Sequence, residues 1–219
     1  MKKQLALVIL CCLFFSGITT AQRTKKIFLD VQDSLISRRS FKKKLEKARG
    51  NILDVLITDT DTLQIHKLFW REHQGILNSI ALEQLRYYLE SLSGKKLPQN
   101  NFIVVNYYPG KDKCNQGGYA EFRLGMMNGY EKALDILGNV SQFYIHKKEA
   151  SKPFETKINR SFPDETNLFK NVFFPYHFPC DSFVVIHPDG RYIKYYGEYH
   201  LQTVVDILQA DWELDFFWE

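Results

Sequence analysis

Phe102-Ile-Val-Val-Asn-Tyr-Tyr108 is an almost unbroken apolar run that leads into the loop Pro109-Gly-Lys-Asp-Lys-Cys114. A strand with one solvent-exposed face would alternate apolar and polar residues. This run therefore predicts a central strand that is buried on both faces. Apolar residues at helical spacing then follow over 119–137, and Gly138 is a suitable stop. The stretch therefore predicts a strand, a loop that carries one cysteine, and a helix.

The remainder of the second half supplies partners for this strand. The Pro188-Asp-Gly190 turn joins two short apolar runs and is typical of an antiparallel hairpin. We expect the central strand to lie between strands at Val140–Ile145 and Ser182–His187. The other predicted elements are a helix near Asp164–Phe173, the second hairpin strand at Tyr192–Tyr196, and a last helix from about Tyr199.

The first half has a different pattern. In Ser34–Arg49, lysines and arginines separate a few apolar residues that would form a narrow stripe on one face of a helix. This pattern predicts a basic amphipathic helix. Two apolar runs, Ile52–Ile57 and Thr62–Phe69, flank a polar turn and predict a hairpin. Ile76–Leu92 has the clearest 3.6-residue period, and Gly94 is placed to end that helix.

The element order and two local patterns resemble a thioredoxin-like domain over about residues 102–209. Val104-Val-Asn-Tyr-Tyr108 is similar to the first core strand of that family, and Phe183-Val-Val-Ile-His-Pro-Asp-Gly-Arg-Tyr-Ile193 to its closing hairpin. The resemblance implies an α/β fold, with a four-stranded mixed core sheet and helices on both faces. Residues 22–100 are then an N-terminal α+β extension, and 101–219 are the thioredoxin-like domain with an acidic aromatic tail.

The catalytic motif of the family is missing. Thioredoxin-like enzymes use Cys-x-x-Cys at the start of the first helix, where the helix dipole stabilises a thiolate. Here Lys111 and Gly117 occupy the positions three residues on either side of Cys114. Asp181 stands where the family keeps a proline before the third core strand. Both departures weigh against ordinary thiol–disulfide exchange.

The resemblance also implies a pairing of cysteines, because the loop before the third core strand packs against the first strand-to-helix loop in this fold. Cys114 and Cys180 would then be neighbours, and we expect a structural disulfide between them. Two alternatives stay open. In the first alternative, the two cysteines form a redox-active pair. In the second, they are separate thiols, and Lys111 or Lys113 activates one of them. A nucleophilic pair of Cys114 with His177 is a weaker hypothesis.

The N-terminus predicts export. Met1-Lys-Lys3 is a basic start, Leu5–Phe15 is an apolar run too short for a comfortable membrane span, and Thr19 and Ala21 suit cleavage before Gln22. Residues 1–21 are therefore predicted to be a signal peptide of a secreted or periplasmic protein. An uncleaved anchor, and a lipid on Cys11 or Cys12, are the alternatives. In an oxidising compartment the two cysteines of the mature chain are expected to be bonded.

Charge and histidine spacing limit the other function classes. Residues 23–50 hold ten basic and three acidic residues. A solvated charged helix explains this segment better than membrane contact, and no specific nucleic-acid binding is expected. The six histidines form no pair at metal-ligand spacing, and no phosphate-binding glycine motif is present, so neither a metal nor a cofactor is predicted.

Two hypotheses on function result. The first is a non-catalytic binding or structural module with an unidentified protein partner and a Cys114–Cys180 disulfide. The second is a thiol-disulfide oxidoreductase or peroxidase-like enzyme, in which Cys114 is the catalytic thiol and Cys180 resolves the intermediate.

Overall fold

The structure is a computed structural model that describes residues 24–115, 120–150 and 161–212. The predicted signal peptide, residues 1–21, lies outside the described residues, as does the end of the acidic tail. The chain is mixed α/β, as the sequence predicted. The described strands are β1 (Lys25–Leu29), β2 (Ile52–Asp59), β3 (Leu63–Trp70), β4 (Glu72–Ile76), β5 (Phe102–Tyr108), β6 (Val140–Lys147), β7 (Ser161–Asp164), β8 (Ser182–Ile186) and β9 (Arg191–Tyr195). The described helices are α1 (Arg38–Lys47), α2 (Ser79–Ser93), α3 (Ala120–Leu137), α4 (Leu168–Val172) and α5 (Leu201–Gln209). None of these helices is both long and apolar enough to span a membrane.

The larger sheet has six strands in the order β4-β9-β8-β5-β6-β7. Strand β5 is buried along its whole length. It runs parallel to β6 and antiparallel to β8. This confirms the prediction of a central strand between the strands near Val140 and Ser182. The predicted hairpin is β8–β9, and Gly190 of its turn has a φ of 99° and lies so close to the Leu77 carbonyl that a side chain would collide with it.

The smaller sheet has the order β1-β3-β2. The predicted hairpin is β2–β3, and β1 adds to it in parallel. After β3 the chain passes through Arg71 directly into β4, which pairs with β9 at the edge of the larger sheet. The two sheets are therefore joined by a single residue.

Two apolar clusters cover the two faces of the larger sheet. On one face, Ile103 and Val105 pack with residues of α2, of the segment around Phe173–Phe178 and of β2. On the other face, Phe102 and Val104 pack with α3 and α5. The smaller sheet contributes Leu53 and Val55 to the first cluster, and α1 covers its other face through Phe41.

Helix α2 is shorter at its start than the apolar period predicted. Asn78 caps its first turn by accepting a hydrogen bond from the Ala81 N–H at 2.9 Å, and Ile76 belongs to β4. Gly94 ends the helix with a φ of 68°, as predicted. Near Asp164–Phe173 the prediction was too long, because Asp164 ends β7 and α4 occupies only Leu168–Val172.

Candidate functional site

The two cysteines meet at one edge of the larger sheet. Cys114 lies in the loop after β5 and Cys180 in the segment just before β8. Because β5 and β8 are antiparallel neighbours, with Tyr107 opposite Ser182, these two segments lie at the same end of the sheet. The structure contains a Cys114–Cys180 disulfide with a Cα–Cα distance of 5.1 Å, inside the usual range of about 4.4–6.8 Å. The predicted bond is confirmed.

The two halves of this disulfide differ in their surroundings. Cys114 is exposed, whereas Cys180 is only 5% exposed. Cys180 also has a φ of 67°, in the left-handed region that costs a residue with a side chain free energy. A thiol from solvent can therefore approach the sulfur of Cys114 far more easily than that of Cys180.

Asp112 ties the two cysteine segments together independently of the disulfide. One carboxylate oxygen accepts hydrogen bonds from the N–H groups of Cys114 and Asn115, at 2.8 and 3.0 Å. The other accepts from the Cys180 N–H at 2.8 Å and lies 3.1 Å from Nε2 of His177. Partial burial alone would raise the pKa of Asp112, but the His177 contact and the three N–H donors outweigh it and lower that pKa.

Asn115 strengthens the same connection. Its amide nitrogen donates to the carbonyl oxygens of Gly110, at 2.8 Å, and Cys180, at 3.3 Å, and its amide oxygen accepts from the Asp112 N–H at 2.9 Å. With Asp112 it forms a polar clamp, by which we mean these two side chains and the backbone groups they hold. The clamp therefore holds the backbone of both cysteine segments through contacts that do not involve the sulfur atoms.

The other residues singled out from the sequence lie around this clamp. Lys111 and Lys113 are exposed on the Cys114 loop. His177 contacts Asp112, so its ring is engaged by a carboxylate. Asp181 lies directly before β8, where the resemblance places a proline in the family.

Glu198 is a neighbour of the disulfide that the sequence did not indicate. Its carboxylate oxygen and the two sulfurs all lie within 4.8 Å of one another. Cysteine binds metals as the thiolate, so this group could hold a metal ion only after the disulfide is reduced. In the oxidised protein the carboxylate places negative charge beside the accessible sulfur.

Sequence reasoning also missed Asp112 and Asn115, although their local signal is readable. An aspartate that accepts from the N–H groups two and three residues later forms an Asx-type turn, and Asp112-Lys-Cys-Asn115 has that arrangement. The contact to Cys180 is 68 residues away in sequence and depends on the tertiary fold.

Replacing Asp112 with asparagine should lower the free energy of unfolding by about 2 kcal/mol, because charge-assisted hydrogen bonds are lost and an amide N–H₂ would face backbone donors. The loss should depend on pH. A carboxyl whose pKa is lowered in the folded state stabilises above its unfolded pKa of about 3.9, and that stabilisation disappears as the pH falls through the folded-state pKa. Urea denaturation at neutral and at strongly acidic pH measures both effects.

The exposed turn residue Asp61 provides the matched control. Asp61→Asn should leave the unfolding free energy nearly unchanged at both pH values. Equal effects of the two substitutions at neutral pH would show that the clamp contributes little.

No model of a known protein family matches the chain, and no curated protein is similar to it.

Proposed function

We propose that this chain is an exported thioredoxin-like protein that does not carry out dithiol catalysis and acts as a binding or structural module. The strand order β9-β8-β5-β6 supports the thioredoxin-like part, since it forms a four-stranded mixed core with α3 and α5 on one face and α2 on the other. Export is supported by the disulfide, a bond that persists mainly in oxidising compartments.

The observation that carries the non-catalytic proposal is the placement of the two cysteines. They lie 66 residues apart in two segments, whereas a family dithiol lies within one turn of a helix. The clamp of Asp112 and Asn115 holds both segments, and Cys180 is buried. A resolving cysteine has to exchange partners during each cycle, and the hydrogen bonds from Asp112 and Asn115 hold the Cys180 backbone in one position. In this proposal the bond stabilises a rigid surface at the end of the sheet.

Thiol counting and turnover test the proposal together. Mature protein should show no reactive thiol before reduction, native or denatured, and two after reduction. Its rates of insulin reduction and of peroxide consumption should equal those of a Cys114→Ser control. Wild-type turnover that disappears in the serine variant would refute the non-catalytic proposal.

The second candidate function is a thiol oxidoreductase or peroxidase-like enzyme, and the exposure of Cys114 favours it. In the reduced protein the Cys114 thiolate would attack a substrate disulfide, form a mixed disulfide and expel one substrate thiolate. The Cys180 thiolate would then attack the Cys114 sulfur, re-form the Cys114–Cys180 bond and release the second substrate thiolate. The reduction potential separates the two candidates, since structural disulfides usually lie below about −300 mV and catalytic ones above. A potential in the catalytic range together with turnover would establish the enzyme.

A further inference from the structure

Three groups of the kind that bind metal ions meet at the disulfide, and they come from three separate segments of the chain. Cys114 lies in the loop after β5, Cys180 precedes β8, and Glu198 follows β9. One carboxylate oxygen of Glu198 and the two sulfur atoms all lie within 4.8 Å of one another. Ligand atoms on one tetrahedral zinc ion lie about 3.6–3.8 Å apart, so these three atoms lie close to the spacing that zinc requires.

The backbones of the three ligand residues are held by contacts that do not involve the sulfur atoms. The Asp112 carboxylate accepts hydrogen bonds from the N–H groups of Cys114 and Cys180, both at 2.8 Å. The carbonyl oxygen of Glu198 accepts from Nη1 of Arg71 at 2.7 Å. None of these contacts depends on the S–S bond, so they favour the same arrangement of the three backbones in the reduced protein.

Two of the three side chains have room to adjust to a metal ion. The sulfur atoms of a disulfide are about 2 Å apart, whereas two thiolates on one zinc ion lie about 3.8 Å apart. Cys180 is buried, but Cys114 and Glu198 are exposed. The exposed side chains can turn about their own bonds to other staggered rotamers, so the required separation does not displace the core around Cys180.

The chemistry of the donor atoms selects the metal. Two thiolates are soft ligands, which favour Zn²⁺ and Cu(I) over Mg²⁺ and Ca²⁺, and the harder carboxylate oxygen favours Zn²⁺ over Cu(I). Three protein ligands leave the fourth tetrahedral position open to water. Lys111 and Lys113 are exposed on the same loop as Cys114, and their charges offset part of the negative charge of three anionic ligands.

We propose that the reduced protein binds Zn²⁺ through Cys114, Cys180 and Glu198, so that the metal and the disulfide are alternative states of one site. A dithiol supplies the two electrons: the S–S bond of the protein breaks, and an S–S bond forms in the dithiol. Its two protons pass to the cysteine sulfurs, and Zn²⁺ displaces them to solvent. The oxidised protein has no thiolate to offer and is excluded from binding. This inference goes beyond the proposed function, because a failure to bind zinc leaves the non-catalytic disulfide protein unaffected.

Zinc titration of the two redox states of the mature chain tests the proposal without a variant. The protein is reduced with a dithiol, which is then removed under nitrogen, and circular dichroism checks that the reduced chain is folded. Competition with a chromophoric chelator should show one Zn²⁺ per reduced chain and none per oxidised chain. Co²⁺, as a spectroscopic substitute, should give a thiolate-to-metal charge-transfer band and the visible bands of tetrahedral coordination. Absence of stoichiometric binding by the reduced chain, or equal binding by the oxidised chain, would overturn the proposal.

Glu198→Gln tests the third ligand, because it keeps the size of the side chain and removes the anionic oxygen. It should weaken Zn²⁺ binding by the reduced chain at least about tenfold, since even the loss of an outer-shell partner has an effect of that size. Glu83→Gln, on the exposed side of α2, is the matched control and should leave the affinity unchanged. Equal affinities of wild type and Glu198→Gln would overturn the three-ligand site, since two cysteines alone would then account for the binding.

Thermal unfolding gives a second readout that does not depend on a measured affinity. Zn²⁺ should raise the melting temperature of the reduced wild type and not of the oxidised wild type, because a ligand stabilises only a form that binds it. Zn²⁺ should also slow the return of the disulfide in air, followed by thiol titration, since both sulfurs are held by the metal. An unchanged melting temperature and an unchanged oxidation rate of the reduced chain in excess Zn²⁺ would contradict the site.

Discussion

Replacing Val104 with aspartate should destabilise the protein by several kcal/mol and leave little folded material. Val104 is fully buried at the centre of β5, opposite Val185 of β8 and Gln142 of β6. Its side chain packs between β5 and the helices α3 and α5, among the apolar residues of this cluster. A buried carboxylate without a partner either stays charged, at a high desolvation cost, or takes up a proton because burial raises its pKa. Both outcomes cost free energy in the folded state and lower stability.

The matched control is the same substitution at Val172, which is 47% exposed in α4. Val172→Asp should change the free energy of unfolding by well under 1 kcal/mol, because its carboxylate stays in water. Urea denaturation monitored by circular dichroism compares the two variants, and Val104→Ala extends the series if the aspartate variant cannot be purified. Unchanged melting of Val104→Asp would show that β5 does not form the centre of the sheet.

The sequence was sufficient to predict β5 because burial on both faces removes polar residues from a strand. The same reasoning failed for β1, β4 and β7, and the causes are physical. Strand β1, Lys25-Lys-Ile-Phe-Leu29, begins with two exposed lysines. It forms a strand because it pairs in parallel with the edge of β3. Strand β4 contains Gly75, whose missing side chain makes room for the Tyr192 ring of β9. Strand β7 contains Pro163, which a strand tolerates at the edge of a sheet.

The candidate site was predictable to a similar degree. The pairing of Cys114 with Cys180 followed from the resemblance, because it depended only on which loops lie at the same end of the sheet. The clamp was not found, since a short polar side chain such as Asp112 has many local uses and its decisive contact is to the distant Cys180.

Removing the Cys114–Cys180 bond should cost about 4 kcal/mol, the value of the chain-entropy model for a loop closed across 66 residues. The effect arises in the unfolded state, which gains the freedom of that loop. The clamp of Asp112 and Asn115 should preserve the folded geometry when the bond is broken. We therefore expect a less stable protein with the same fold, visible as a lower denaturation midpoint and a near-UV spectrum close to that of wild type.

Two routes to the broken bond make this expectation specific. Reduction of wild type keeps both sulfur atoms, whereas the double variant Cys114→Ala with Cys180→Ala removes them and leaves no thiol to cross-link between molecules. Because Cys180 is buried and Cys114 is exposed, the double variant should be slightly less stable than reduced wild type through lost packing at Cys180. Reductant should shift the denaturation midpoint of wild type and have no effect on the double variant. The expectation fails if reductant leaves the denaturation midpoint of wild type unchanged while thiol titration shows that both sulfurs are free. The bond would then add no stability, and this result would favour the redox-active candidate.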